Sequence, residues 1–149
     1  MKYLIILLML TGCATLNTQD QALLNRLQTV VNTKVAAFNA LRHANMTTPI
    51  VKFASVDGDY AEAVPGVIFI NPVLCKQDMD DCIKDTIPHE LAHEAIYQFS
   101  KPVQNLKLEN GHVVQHLYYF THGGIWCDTM KAFGGNPQKH GYCFTSGGN

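Results

Sequence analysis

Across 149 residues the chain sets 11 Lys and Arg against 12 Asp and Glu, a formal charge of −1 with no cluster of either sign. That balance excludes a basic nucleic-acid footprint and a polybasic membrane patch. With 47% hydrophobic residues, a single domain of this size can bury a real core.

Met1-Lys2-Tyr3 makes a short basic start, Leu4 to Leu10 is an apolar run too brief to span a bilayer, and Leu10-Thr11-Gly12-Cys13 follows at once. This resembles a bacterial lipoprotein signal, residues 1–12, whose box ends in the cysteine that receives the lipid. The resemblance implies that Cys13 is lipidated, that the protein is exported, and that its membrane contact is that lipid alone. Ala14 stands where an inner-membrane retention signal carries Asp, so the same resemblance points to the periplasmic side of an outer membrane, or to the cell surface in a Gram-positive host. Cys13 to Asn149 then leaves 137 residues, read as a lipidated polar tether over 13–20 and one domain over 21–149.

Gln21 to Ala44 carries Leu23, Leu24, Leu27, Val30, Val31, Val35, Phe38 and Leu41 as a helical stripe, predicting a scaffold helix packed on the core. Ile50 to Val56 and Val67 to Ile70 are rich in β-branched and aromatic residues and are bounded by Asp57-Gly58-Asp59 and Pro65-Gly66. They predict strands of a small antiparallel sheet, and with the helices an α+β fold. Asp57 and Asp59 belong to a solvated turn, since no twelve-residue calcium loop ending in Glu surrounds them.

Asp78 to Asp81 opens a second helix, predicted from about Met79 to Phe99, with Ile83, Ile87, Leu91, Ala95 and Phe99 on its apolar face. Inside it lies His89-Glu90-Leu91-Ala92-His93, an HExxH pattern. Two histidines four apart on a helix share a face and can close on one Zn²⁺, with Glu90 beside them to take a proton from a water at the metal. Seven histidines make chance matches a concern, but such a pattern arises in only about one chain in a hundred of this composition, and here its helical setting is also present. Pro88 is expected to kink the helix or to start a new one just before His89.

A hydrolytic zinc site takes three protein ligands and leaves a fourth place for water. Candidates for the third are Glu109, His112, His116, His122 and His140. His122 stands out because it precedes Gly123-Gly124-Ile125-Trp126 at the mouth of an apparent helix, where a side chain can be aimed, whereas Glu109 adjoins the turn-like Asn110-Gly111. With Cys13 assigned to lipid, four cysteines remain, an even number in an oxidising compartment. Of three connectivities, Cys75 with Cys82 and Cys127 with Cys143 are favoured, because each closes a local loop beside a metal-site element. A structural zinc site is disfavoured by the lack of paired C-x-x-C spacings.

Three blocks in order, Ile68-Phe69-Ile70-Asn71-Pro72-Val73-Leu74, the HExxH at His89 to His93, and His122-Gly123-Gly124-Ile125-Trp126 followed by Met130, Phe133 and Gly134, resemble the SprT-like zinc metallopeptidases. The resemblance implies a minimal zincin-like domain with helices on a small antiparallel sheet. It also implies His89, His93 and His122 as ligands, Glu90 as general base, and the strand before the active helix along the substrate cleft. Two departures bear on what is carried over. The 28 residues between His93 and His122 leave room for an added hairpin or lid over Asn110 to Phe120, and no zinc ribbon follows. An exported chain gives no reason to carry over the DNA-attached substrates of intracellular relatives.

The expected activity is hydrolysis of peptide bonds in protein or peptide substrates, an extended chain pairing with Val67 to Ile70. Tyr118, Tyr119 and Tyr142 are candidate oxyanion donors, His140 a candidate cleft residue, and Asp85 and Asp128 candidate acceptors behind the imidazoles. Two other classes stay open: a zinc amidase acting on peptidoglycan peptides, and a surface lipoprotein that binds zinc without turnover.

Overall fold

The computed structural model describes residues 17–55, 59–99, 107–109, 112–114, 122–141 and 143. Outside them lie the signal and Cys13, Asp57, His116, Tyr118, Tyr119 and Tyr142, together with the side chains of Glu109, His112 and His140.

The first apolar stripe folds as helix α1, Thr18–Arg42. Asn17 caps it: its Oδ1 accepts the Asp20 N–H at 2.8 Å and its Nδ2 donates to the Asp20 carboxylate at 2.8 Å. The helix therefore begins at Thr18 instead of Gln21 and takes in part of the expected tether. Leu27, Val31, Val35 and Phe38 face the core, while Leu41, the last member of the stripe, is exposed.

Three short strands follow, β1 (Ile50–Phe53), β2 (Ala61–Val64) and β3 (Val67–Ile70), in the spatial order β1-β3-β2. β1 pairs with β3 in parallel and β2 pairs with β3 antiparallel, so the expected antiparallel sheet is corrected to a mixed one. Connectivity is the reason. The Pro65-Gly66 turn joins β3 to β2, a strand not foreseen in Ala61-Glu62-Ala63-Val64, and β1 is left to pair along the other edge of β3. Gly66 sits at φ 82, the left-handed conformation that the second central position of a type II turn requires. The outer edge of β1 is covered by α1, where Gln28 Oε1 accepts the Val51 N–H at 2.8 Å and Gln28 Nε2 donates to the Pro49 carbonyl at 3.1 Å.

The predicted helix over 79–99 is present as α3 (Met79–Asp81), a π-helical turn over Cys82–Thr86, and α4 (Ile87–Phe99). Pro88 neither ends the helix nor starts it. The Ile87 N–H bonds back to the Cys82 carbonyl, a widened turn just ahead of the proline, where its ring would otherwise press on the preceding turn. Pro88 is also closely packed: a Cβ on Gly135 would lie 2.7 Å from Pro88 Cβ, so the chain after the last helix backs onto α4 only because that residue is glycine.

A short helix α2 (Pro72–Gln77), capped by Asn71, leads from β3 to α3, and the Cys75–Cys82 disulfide joins it to the π turn with a Cα separation of 5.2 Å. Strands β4 (Lys107–Glu109) and β5 (His112–Val114) pair antiparallel, an inserted hairpin starting slightly earlier in the chain than expected. Helix α5 (Gly124–Ala132) packs on α4 through Ala92, Ile96, Trp126, Cys127 and Met130, and Cys127–Cys143 returns the chain to it. Both disulfides are those favoured from spacing. No helix among the described residues is long and apolar enough to cross a membrane.

Space is open around Gly66, so Gly66→Ala tests backbone strain alone. It is expected to destabilise the fold by about 1 kcal/mol in urea unfolding, with an unchanged denaturant slope.

Candidate metal centre

The spacing of His89 and His93 puts both imidazoles on one side of α4, and His122 reaches them from the residue before the Gly123 cap of α5. Their Nε2 atoms form a nearly equilateral triangle, with 3.3 Å between His89 and His93, 3.2 Å between His93 and His122, and 3.3 Å between His122 and His89. Nitrogens bound tetrahedrally at about 2.0–2.1 Å from a zinc ion would lie about 3.3–3.4 Å apart, so the triangle has the size one cation needs. The ring centroids are each 5.0 Å from one another, tilted like the blades of a propeller. Among the described residues, this is the group of His, Cys, Asp and Glu able to hold a metal ion.

Trp126 forms the floor. Its ring centroid lies 4.7 Å from His89, 5.6 Å from His93 and 4.4 Å from His122, and the residue is buried. One rigid indole thus limits the rotation of all three imidazoles, a role that the sequence reading, which took Trp126 only for helix packing, did not foresee. Cys127 packs below, with its Sγ 3.9 Å from the His122 carbonyl, so the second disulfide lies directly behind the third histidine.

The opposite flank of α4 presents Glu90, Glu94 and Tyr97 to the β2–β3 hairpin. Glu90 is buried, with Oε1 4.0 Å from His89 Nε2 and the backbone N–H of Ala63 near its carboxyl. Burial pushes its carboxyl up to about 8; the Ala63 N–H opposes that rise, and the negative Glu62 and Asp59 add to it. Tyr97 donates its hydroxyl to the Ala63 carbonyl at 3.3 Å. Glu94, fully buried, accepts the Gly66 N–H on both oxygens at 3.0 Å and one Gln98 amide N–H at 2.8 Å. Burial also raises the Glu94 carboxyl, against these two hydrogen bonds. Neither Glu94 nor Tyr97 was singled out from the sequence; their offsets of four and seven residues from Glu90 place all three on one helix face, and that periodicity was the available signal.

A cleft of about 730 Å³ opens over the triangle, walled by α4 on one side and by Ala61, Glu62, Ala63 and Phe69 of the sheet on the other. The strand along it is β2. β3 lies between β1 and β2 with both edges paired, so the expectation that Val67 to Ile70 receives an extended chain is corrected. In the β2–β3 register, the Asn71 N–H bonds to the Tyr60 carbonyl, which directs the N–H and C=O groups of Ala61 and Ala63 away from β3 and toward the cleft.

Other candidate residues have different settings. Asp85 is buried, accepts the Asn136 N–H at 3.5 Å and lies 3.3 Å from Lys139 Nζ. Asp128 is exposed and lies 3.9 Å from Lys131 Nζ, a solvated helix face. Asp59 lines the cleft. No family model, curated protein or solved structure matches this chain.

Two outcomes test it. Alanine at His89, His93 or His122 is expected to lower metal content and to weaken affinity by at least about tenfold, whereas His112→Ala and His116→Ala keep the metal. In chelator-treated protein, the carboxyl of Glu90 holds its proton in the fold to higher pH than in the unfolded chain, so its contribution to stability is lost as pH rises through about 8. The melting temperature of wild type should then fall more between about pH 6.5 and 8.5 than that of Glu90→Gln.

Proposed function

We propose that this protein is a zinc-dependent peptidase of the SprT-like, zincin type, exported and anchored by a lipid on Cys13. The observation that carries the reading is the Nε2 triangle of His89, His93 and His122 with a buried carboxyl, Glu90, directly beside it. Three imidazoles also suit copper, iron or nickel; zinc is preferred because hydrolysis calls for a Lewis acid without redox chemistry and with an open fourth position. Bound there, zinc would lower the pKa of a coordinated water and polarise a substrate carbonyl.

The remaining work falls to the chain itself. Glu90 lines the cleft beside His89, where it can take a proton from water and return it to the departing amine. Burial raises the Glu90 carboxyl in the metal-free fold, and a cation held by the three imidazoles would favour its charged form, the one able to accept a proton. Ala61 offers its backbone N–H and C=O to an extended substrate, a contact that favours polypeptides over small metabolites. The two disulfides accord with an oxidising compartment, and with them the lipoprotein-like start of the chain supports a periplasmic or cell-surface address.

The test compares wild type with Glu90→Gln for metal content and casein cleavage. Both should hold one zinc per chain, and the variant should cleave about a thousandfold more slowly. Zinc in both with cleavage in neither would replace this reading by a cell-wall amidase or a zinc-binding lipoprotein, and activity on peptidoglycan peptides would decide between those two.

A further inference from the structure

The cleft wall opposite α4 carries charge of one sign. Asp59 and Glu62 line it and are exposed, and no Lys or Arg is among the described residues that do so. Neither carboxylate is in an ion pair with a described residue. Lys52 falls in the same sheet row as Glu62 and Phe69, but on β1, beyond the central strand and off the cleft.

β2 fixes where a substrate would meet this charge. Side chains alternate along a strand, so Glu62 projects to the opposite sheet face from Ala61 and Ala63. A chain laid along the outer edge of β2 places one of its side chains directly across from Glu62 on that face, at cross-strand contact distance. Glu62 lines the same cleft as His89, Glu90, His93 and His122, so this position is close to the reacting bond. Opposite charges in such a pair attract and like charges repel.

From this arrangement we infer that the cleft selects polypeptides with a lysine or arginine across from Glu62, with Asp59 reinforcing the choice. The inference rests on the peptidase reading for its orientation of the substrate, and its test separates the two. Internally quenched peptides carry a single lysine or a single glutamate, moved stepwise through an otherwise uncharged sequence. The full chain, purified in mild detergent, is assayed for cleavage as wild type and for binding as Glu90→Gln, by fluorescence anisotropy.

At one position lysine should bind about tenfold more tightly than glutamate at low salt, and the gap should shrink at about 0.5 M salt. Glu62→Gln combined with Glu90→Gln should close most of the gap, Glu62→Lys should invert it, and Asp59→Asn should narrow it. Because Glu62 and Asp59 are exposed, these variants should melt with the parent protein. Equal binding of lysine and glutamate peptides at every position, or a gap indifferent to Glu62→Lys, would overturn the inference. A gap that follows Glu62 while wild type cleaves none of the peptides would leave the selectivity standing and overturn the peptidase reading instead.

Discussion

Ala63 is held by α4 through its carbonyl, to which the Tyr97 hydroxyl donates at 3.3 Å. One turn away on the same face, Glu94 holds the hairpin at Gly66. These contacts fix the distance between the helix that bears the histidines and the strand that walls the cleft. Backbone groups at a sheet edge must be satisfied somewhere, and here Tyr97 and Glu94 of α4 take the Ala63 carbonyl and the Gly66 N–H. These hydrogen bonds add fixed lengths to the apolar packing of Ile87, Leu91 and Ala95 against Ala63, Ile68 and Ile70, which on its own tolerates sliding.

Burying two carboxyls on one helix face is costly, and the rise in both their pKa values expresses that cost. The fold offsets it unequally. Glu94 receives a backbone N–H on both oxygens and an amide besides, the environment of a structural group. Glu90 lies beside a triangle of nitrogen donors, so its charge is favoured chiefly when a cation is close. Two glutamates four residues apart on one helix thus have different tasks, set by what surrounds them.

Much of the metal centre was legible because it depends on helix geometry. The i, i+4 spacing of His89 and His93 is a property of any helix, and His122 was found from its place ahead of a second helix. The short loops between Cys75 and Cys82 and between Cys127 and Cys143 likewise led to the pairs observed. What sequence hid was β2. Ala and Glu are poor strand formers, and Ala61-Glu62-Ala63 adopts the strand because β3 and α4 supply partners on either side, a tertiary effect that no local pattern records. Missing it cost the sheet its true topology and assigned the cleft to the wrong strand. Trp126 was legible as a buried residue, but its contact with all three imidazoles depends on how α5 crosses α4.

Gln28 covers the free edge of β1, and the side chains of α4 occupy Ala63 on the edge of β2. The backbone groups of Ala61 point away from β3, toward the cleft that holds the histidines. An unprotected sheet edge is ordinarily a hazard, since it recruits any extended chain, including further copies of the same protein. Under the proposed peptidase reading, the same exposed edge at Ala61 is where an extended chain would enter the cleft.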